Sequence, residues 1–93
     1  MHRSAAERAD RSVTVHVQLF SHLRDAAGVS ELDLELPDSS TVADLLDKLY
    51  ARTPALRSWD GSILIGAGVE FVGRDYLLRP GEQIAIMPPV QGG

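Results

Sequence analysis

The chain has 93 residues, 13 acidic against 9 basic side chains, a net charge of −4 and no cysteine. That length holds one domain with one modest core, and the missing thiols exclude disulfides, thiolate metal sites and a cysteine nucleophile. The acidic balance argues against nucleic acid as a partner, and no apolar run approaches the ~20 residues that span a bilayer.

Residues 1–12 are polar and rich in Ala, Arg and Ser, and read as a disordered extension. Glu7 and Asp10 argue against a transit peptide, and the lack of an apolar signal core makes the cytoplasm the expected location. Val13 to Phe20 alternates and predicts a strand, with Val13, Val15, Val17 and Leu19 on one face and Thr14, His16, Gln18 and Phe20 on the other. Leu23 to Ala27 predicts a short helical turn that Gly28 ends in the left-handed region. Glu31 to Leu36 alternates again, predicting an antiparallel partner for the first strand, and Pro37 stops it.

Thr41-Val42-Ala43-Asp44 resembles a capping box with Asp in the usual Glu place. The helix it opens runs to about Arg52. Val42, Leu45, Leu46 and Leu49 follow i, i+3, i+4, i+7 spacing and predict one core stripe. Pro54 blocks continuation, and Ala55 to Trp59 predicts another short turn in which Trp59 packs at the core or its edge. Ile63 to Ile65 and Val69 to Val72 predict a third strand and a short fourth, joined through Gly66 and Gly68. Arg79-Pro80-Gly81-Glu82 is a turn before the last strand, Gln83 to Met87. The order strand, strand, helix, strand, short strand, strand gives an α+β fold with a mixed sheet of about five strands on one main helix. A domain over 13–88 and a tail over 89–93 follow.

The tail carries the chemistry. Pro88 and Pro89 donate no backbone hydrogen and fix φ near −65°, so they end the ladder and project the chain. Five residues, Pro89 to Gly93, reach at most roughly 18 Å. Gly92 and Gly93 lack Cβ and pass a narrow channel. A C-terminal carboxylate, ionised at neutral pH, can attack the α-phosphate of ATP and become an acyl-adenylate open to sulfur.

Leu19-Phe20-Ser21-His22-Leu23-Arg24-Asp25-Ala26-Ala27-Gly28 resembles the signature after the first strand in the small subunit of molybdopterin synthase (the MoaD family). Pro88-Pro89-Val90-Gln91-Gly92-Gly93 resembles that family's C-terminus, and Thr41 to Leu45 and Pro80 to Ala85 also fit. The resemblance covers Val13 to Gly93. Two departures are Gly68, where many members have Asn, and the extension. The resemblance implies a ubiquitin-like β-grasp fold. It also implies that a ubiquitin-activating-enzyme-like adenylyltransferase (MoeB-type) adenylates Gly93 with ATP. The adenylate then becomes a thiocarboxylate. Pro88, Pro89, Val90, Gln91 and Gly92 thread into the large synthase subunit (MoaE-type), and sulfur passes to the pterin precursor within a heterotetramer. Catalytic side chains are expected on the partners, and this chain binds no cofactor of its own.

Phe20 and Met87 break the polar sides of their strands. With Phe71 they form a candidate apolar docking patch. Arg24 and Asp25 either contact a partner or cap and solvate a helical turn. His2, His16 and His22 are scattered in the sequence with no carboxylate cluster around them, so no metal site is expected. Gly66 and Gly68 lack the Lys-Ser/Thr of a phosphate loop, so ATP belongs to a partner. Rival functions are a sulfur carrier for thiamine, tRNA or cysteine synthesis, a ubiquitin-like protein modifier attached through Gly93, and an interaction module with an inert tail.

Overall fold

The computed structural model describes residues 11–89. Strand β1 (Ser12–Leu19) turns Val13, Val15, Val17 and Leu19 into the core, as its alternation requires. It starts one residue earlier than expected, because Ser12 still pairs with Pro37. Helix α1 (His22–Ala27) follows, and Gly28 ends it at φ +79° with its N–H on the Arg24 carbonyl at 2.9 Å. Strand β2 (Glu31–Pro37) returns antiparallel to β1.

Helix α2 (Val42–Arg52) buries the stripe Val42, Leu45, Leu46 and Leu49, together with Tyr50. Its capping box closes on Asp44: the Thr41 N–H donates to Oδ2 at 2.9 Å, and the Asp44 N–H donates to the Thr41 hydroxyl at 3.4 Å. Two more early N–H groups find carbonyls across the chain, Val42 on Tyr76 at 3.0 Å and Ala43 on Arg74 at 2.9 Å. A helix start buried against a loop needs such acceptors.

The expected short turn at Ala55 is a longer 3-10 run, Pro54–Ser62. Asp60 ties it to the 73–82 loop. The Arg74 guanidinium donates to its carboxylate at 2.9 Å and to its main-chain oxygen at 2.6 Å, and Tyr50 donates to the same carboxylate. The Tyr50 and Arg74 bonds hold Asp60 below the usual carboxylate range.

Strand β3 (Leu64–Ala67) lies one to two residues further on than expected. Ile63 is spent as the extended cap of the 3-10 run, and Gly66, which suggested a break, pairs within the strand with Ala85. A Cβ added there would lie 3.3 Å from Met87 Cε, so a larger residue asks the Met87 side chain to give by a few tenths of an ångström. Gly68 turns the chain at φ +64°, a value Gly takes freely and Asn tolerates, so the departure there leaves this turn intact. Strand β4 (Glu70–Val72) and strand β5 (Gln83–Met87) complete the sheet.

The sheet order is β2-β1-β5-β3-β4, with β1 and β5 parallel and the other pairs antiparallel. The last strand is thus the middle one. Ile84 and Ile86 are buried beneath α2, each contributing about 1.5–3 kcal/mol of transfer free energy. The outer edge of β2 is covered by α2: Lys48 donates to the Glu35 carbonyl and Arg52 to the Asp33 carbonyl at 3.4 Å. Such covering blunts a free strand edge.

Candidate functional site: the open sheet face and the root of the tail

Both ladders hold β5 to its end. Met87 pairs with Leu64, and the Phe20 N–H donates to the Ile86 carbonyl at 3.2 Å. Pro88 and Pro89 stand just past the last ladder position, where a missing N–H costs nothing. The chain therefore leaves from the centre of the sheet. The tail residues Val90, Gln91, Gly92 and Gly93, like residues 1–10 of the expected extension, lie outside the described residues.

Register sorts the side of the sheet away from α2. Gln18, Ala85, Gly66 and Phe71 form one cross-strand row, and Met87 and Leu64 belong to the next. Period-2 alternation from Leu19 places Phe20 beside Met87. Phe20 is 43% exposed and Phe71 70%, while Met87 is half-buried and laid over Gly66. The three candidate docking residues therefore share the open face. Sequence reasoning missed Leu64, Gly66 and Ala85, which join them; only the β3–β5 register reveals these.

The β2 side of the same face is polar and overturns one expectation: His16 does have carboxylates around it. It sits opposite Asp33 in the β1–β2 register, with Nδ1 at 2.7 Å from Asp33 and Nε2 at 2.9 Å from Glu31. The three are 15 and 17 positions apart in sequence, and only strand pairing unites them. Among the described residues no group of three His, Cys, Asp or Glu is arranged to hold a metal ion.

Glu31 first and Asp33 second raise His16 above its ordinary 6.5, and the bond from His16 depresses Glu31 below its ordinary 4.5. The His16 contribution to stability is complete below its unfolded value and fades as pH rises through the raised folded one. The Glu31 contribution is complete above its unfolded value and fades as pH falls through the depressed one. The cluster is strongest between these limits, and the exposure of its two carboxylates keeps its contribution small. An NMR titration should place the His16 midpoint above 6.5, and Glu31→Gln should lower it more than Asp33→Asn. A native midpoint at or below the ordinary value would contradict the cluster.

Arg24 and Asp25 lie exposed on α1 with Nε 3.9 Å from the carboxylate, an ion pair too loose to stabilise the helix appreciably. At the root of the tail, His22 stacks on Trp59, ring centroids 5.7 Å apart. Trp59 is partly buried against the core edge, as its place in the sequence suggested. Ser21, His22, Trp59, Ser62, Pro88 and Pro89 line a cleft there of about 270 Å³. Ser21 holds φ +56°, unusual for a residue with a side chain.

A five-stranded mixed sheet crossed by one helix, with a central last strand leading into a proline-stiffened tail, defines a ubiquitin-like β-grasp protein. The chain belongs to the ThiS family, whose pattern matches residues 17–93. It is 35% identical over 81 residues to the molybdopterin synthase sulfur carrier subunit of Chlamydomonas reinhardtii, covering 85% of this chain and 98% of that protein. It is 30% identical over 82 residues to the protein of the same name from Arabidopsis thaliana, covering 88% and 85%. Among solved structures, SAMP1 from Haloferax volcanii superposes with a TM-score of 0.77 at 30% identity, covering 86% of this chain and 99% of that one. A complex of subunits 1 and 2 of molybdopterin-converting factor from Helicobacter pylori contains the same fold, TM-score 0.62 at 20% identity, covering 87% and 100%.

Proposed function

We propose that this chain is the sulfur carrier and small subunit of a molybdopterin synthase, with the Gly93 carboxyl as its reacting group. The reading rests chiefly on the central position of β5, which ends at Pro88-Pro89 in mid-sheet beside an apolar face, immediately before Val90-Gln91-Gly92-Gly93 in the sequence. The names of its relatives support it.

The chemistry balances in three steps. A Gly93 carboxylate oxygen attacks the α-phosphorus of ATP and expels pyrophosphate. Hydrosulfide attacks the acyl carbon, expels AMP and loses its proton, leaving a thiocarboxylate. That sulfur moves to the pterin precursor on the large subunit, and water restores the carboxylate. The chain itself binds neither nucleotide nor metal in this scheme. Phe20, Phe71 and Met87 dock the large subunit and the adenylating enzyme in turn, and the tail threads into each partner's site. The complex of the two converting-factor subunits from H. pylori supports a large-subunit partner. The adenylating partner follows from the carboxylate chemistry, and both are expected in the cytoplasm. No helix among the described residues is long and apolar enough to cross a membrane.

The test is intact-mass spectrometry after incubation with ATP, an adenylating enzyme and a sulfur source. The carrier reading expects the oxygen-to-sulfur mass increment, localised to Gly93; an unchanged mass rejects it. The likeness to SAMP1, the small archaeal modifier protein 1 of Haloferax volcanii, favours a second reading, attachment through Gly93 to lysines. Gly-Gly-linked adducts in lysate would identify that outcome.

A further inference from the structure

The cleft beside Pro88 and Pro89 has no task in the chemistry above. Its walls are the stacked rings of His22 and Trp59, at an interplanar angle of 11°, the side chains of Ser21 and Ser62, and the two proline rings. At about 270 Å³ it falls below the roughly 300–1,000 Å³ of sites that enclose a small molecule, and suits one inserted side chain. Among the described residues no Lys, Arg, Asp or Glu lines it, so a charged group entering it would find no counter-ion.

The cleft is continuous with the open sheet face. Ser21 follows the exposed Phe20, and Pro88 follows Met87. A partner seated on Phe20 and Met87 therefore has the cleft at its border. Ser21 supplies an independent observation. It holds φ +56° and ψ −128°, a combination that suits glycine. Its side chain makes no capping bond to α1. Neither the backbone nor the cap asks for serine, which leaves its hydroxyl to the cleft it lines.

We propose that the cleft receives one aromatic side chain with a hydrogen-bonding tip, Tyr or Trp, from the large synthase subunit. Its ring lies against the His22–Trp59 pair and the prolines, and its tip bonds the Ser21 hydroxyl. Aromatic walls favour a ring over an aliphatic chain, and rings with one polar end are common interface anchors. The identity of the partner rests on the carrier reading; the chemistry of the occupant rests on the cleft.

The experiment uses the full chain and the large synthase subunit. With labelled carrier and unlabelled partner, NMR of the complex should show contacts from the partner's aromatic protons to Trp59 and Pro88. Ser62 is exposed, so Ser62→Phe fills the cleft without entering the core. It should weaken binding at least about tenfold in isothermal titration, with an unchanged melt. Ser21→Gly should raise the melting temperature by a few degrees through relief of strain, yet weaken binding about fivefold through loss of the hydroxyl. Binding undiminished by either variant overturns the proposal. So do contacts from the partner's methyl protons alone, no binding by the unaltered chain, or contacts of Trp59 with residues 90–93 that persist in the complex, since the chain then fills its own cleft. Aromatic contacts in a carrier that never gains sulfur at Gly93 reject the carrier reading and leave the cleft standing. Sulfur gained at Gly93 while Ser62→Phe binds like the parent rejects the cleft alone.

Discussion

Deleting Gly93 abolishes sulfur transfer to the pterin precursor, to the background of the assay, while the melting temperature moves by less than about 2 °C. The second half follows from where stability resides. The buried apolar set runs from Val13 to Ile86, and the ladders of β5 close at Met87. A change of a few tenths of a kcal/mol moves a domain of this size by only about that much. The first half follows from geometry and bonding together. A chain ending at Gly92 still has a carboxylate, but it stops about 3.6 Å short of the place where the activating partner holds the α-phosphate. In-line attack tolerates no such gap, since misplacement by about 1 Å can cost a hundredfold. The measurement is product formation by the reconstituted synthase beside a thermal melt of the same sample. Full activity in the truncated chain would end the carrier reading, and a collapsed melt would show the tail to be part of the core.

The readable parts of this fold were those that local physics decides. The stripe Val42, Leu45, Leu46 and Leu49 was visible because helical spacing has one outcome for such a run. The Thr41–Asp44 box was visible because cap chemistry spans only three residues. The alternation of β1 fixed which of its residues are buried before any partner strand was known. Long-range pairing was less accessible. His16 lacks acidic neighbours in sequence, yet cross-strand register sets Asp33 and Glu31 on its two nitrogens. Gly66 reads as a link between strands because an isolated glycine weakens a strand, and only the β3–β5 register shows it paired with Ala85. The 3-10 run Pro54–Ser62 has no strong periodic signal, and the Asp60 latch that holds it depends on Arg74 from a loop that sequence reading left unassigned. Phe20 and Met87 stand out as candidates for docking because they interrupt polar alternation; their neighbours Ala85 and Leu64 interrupt nothing obvious and needed the sheet order.

Phe20→Asp weakens binding to the large synthase subunit by at least about thirtyfold, and Phe71→Asp by somewhat less. A buried aromatic anchor at an interface is worth about 2 kcal/mol or more, and each 1.4 kcal/mol is tenfold. Aspartate does worse than truncation, because docking would bury its charge among Met87, Leu64 and Ala85 with no partner supplied by this face. Phe20 adjoins Met87 near the tail root, whereas Phe71 lies on the edge strand β4, so the loss grades from the first to the second. The folded state tolerates both changes because the two rings stay 43% and 70% exposed without a partner. Leu19→Asp supplies the contrast: one position away, it places the charge in the core and unfolds the domain. Isothermal titration with the large subunit, alongside circular-dichroism melts of all three variants, separates the effects. Undiminished binding by Phe20→Asp would remove the open face from the interface. A melt like that of Leu19→Asp would move Phe20 into the core, against its exposure and its place in the alternation of β1.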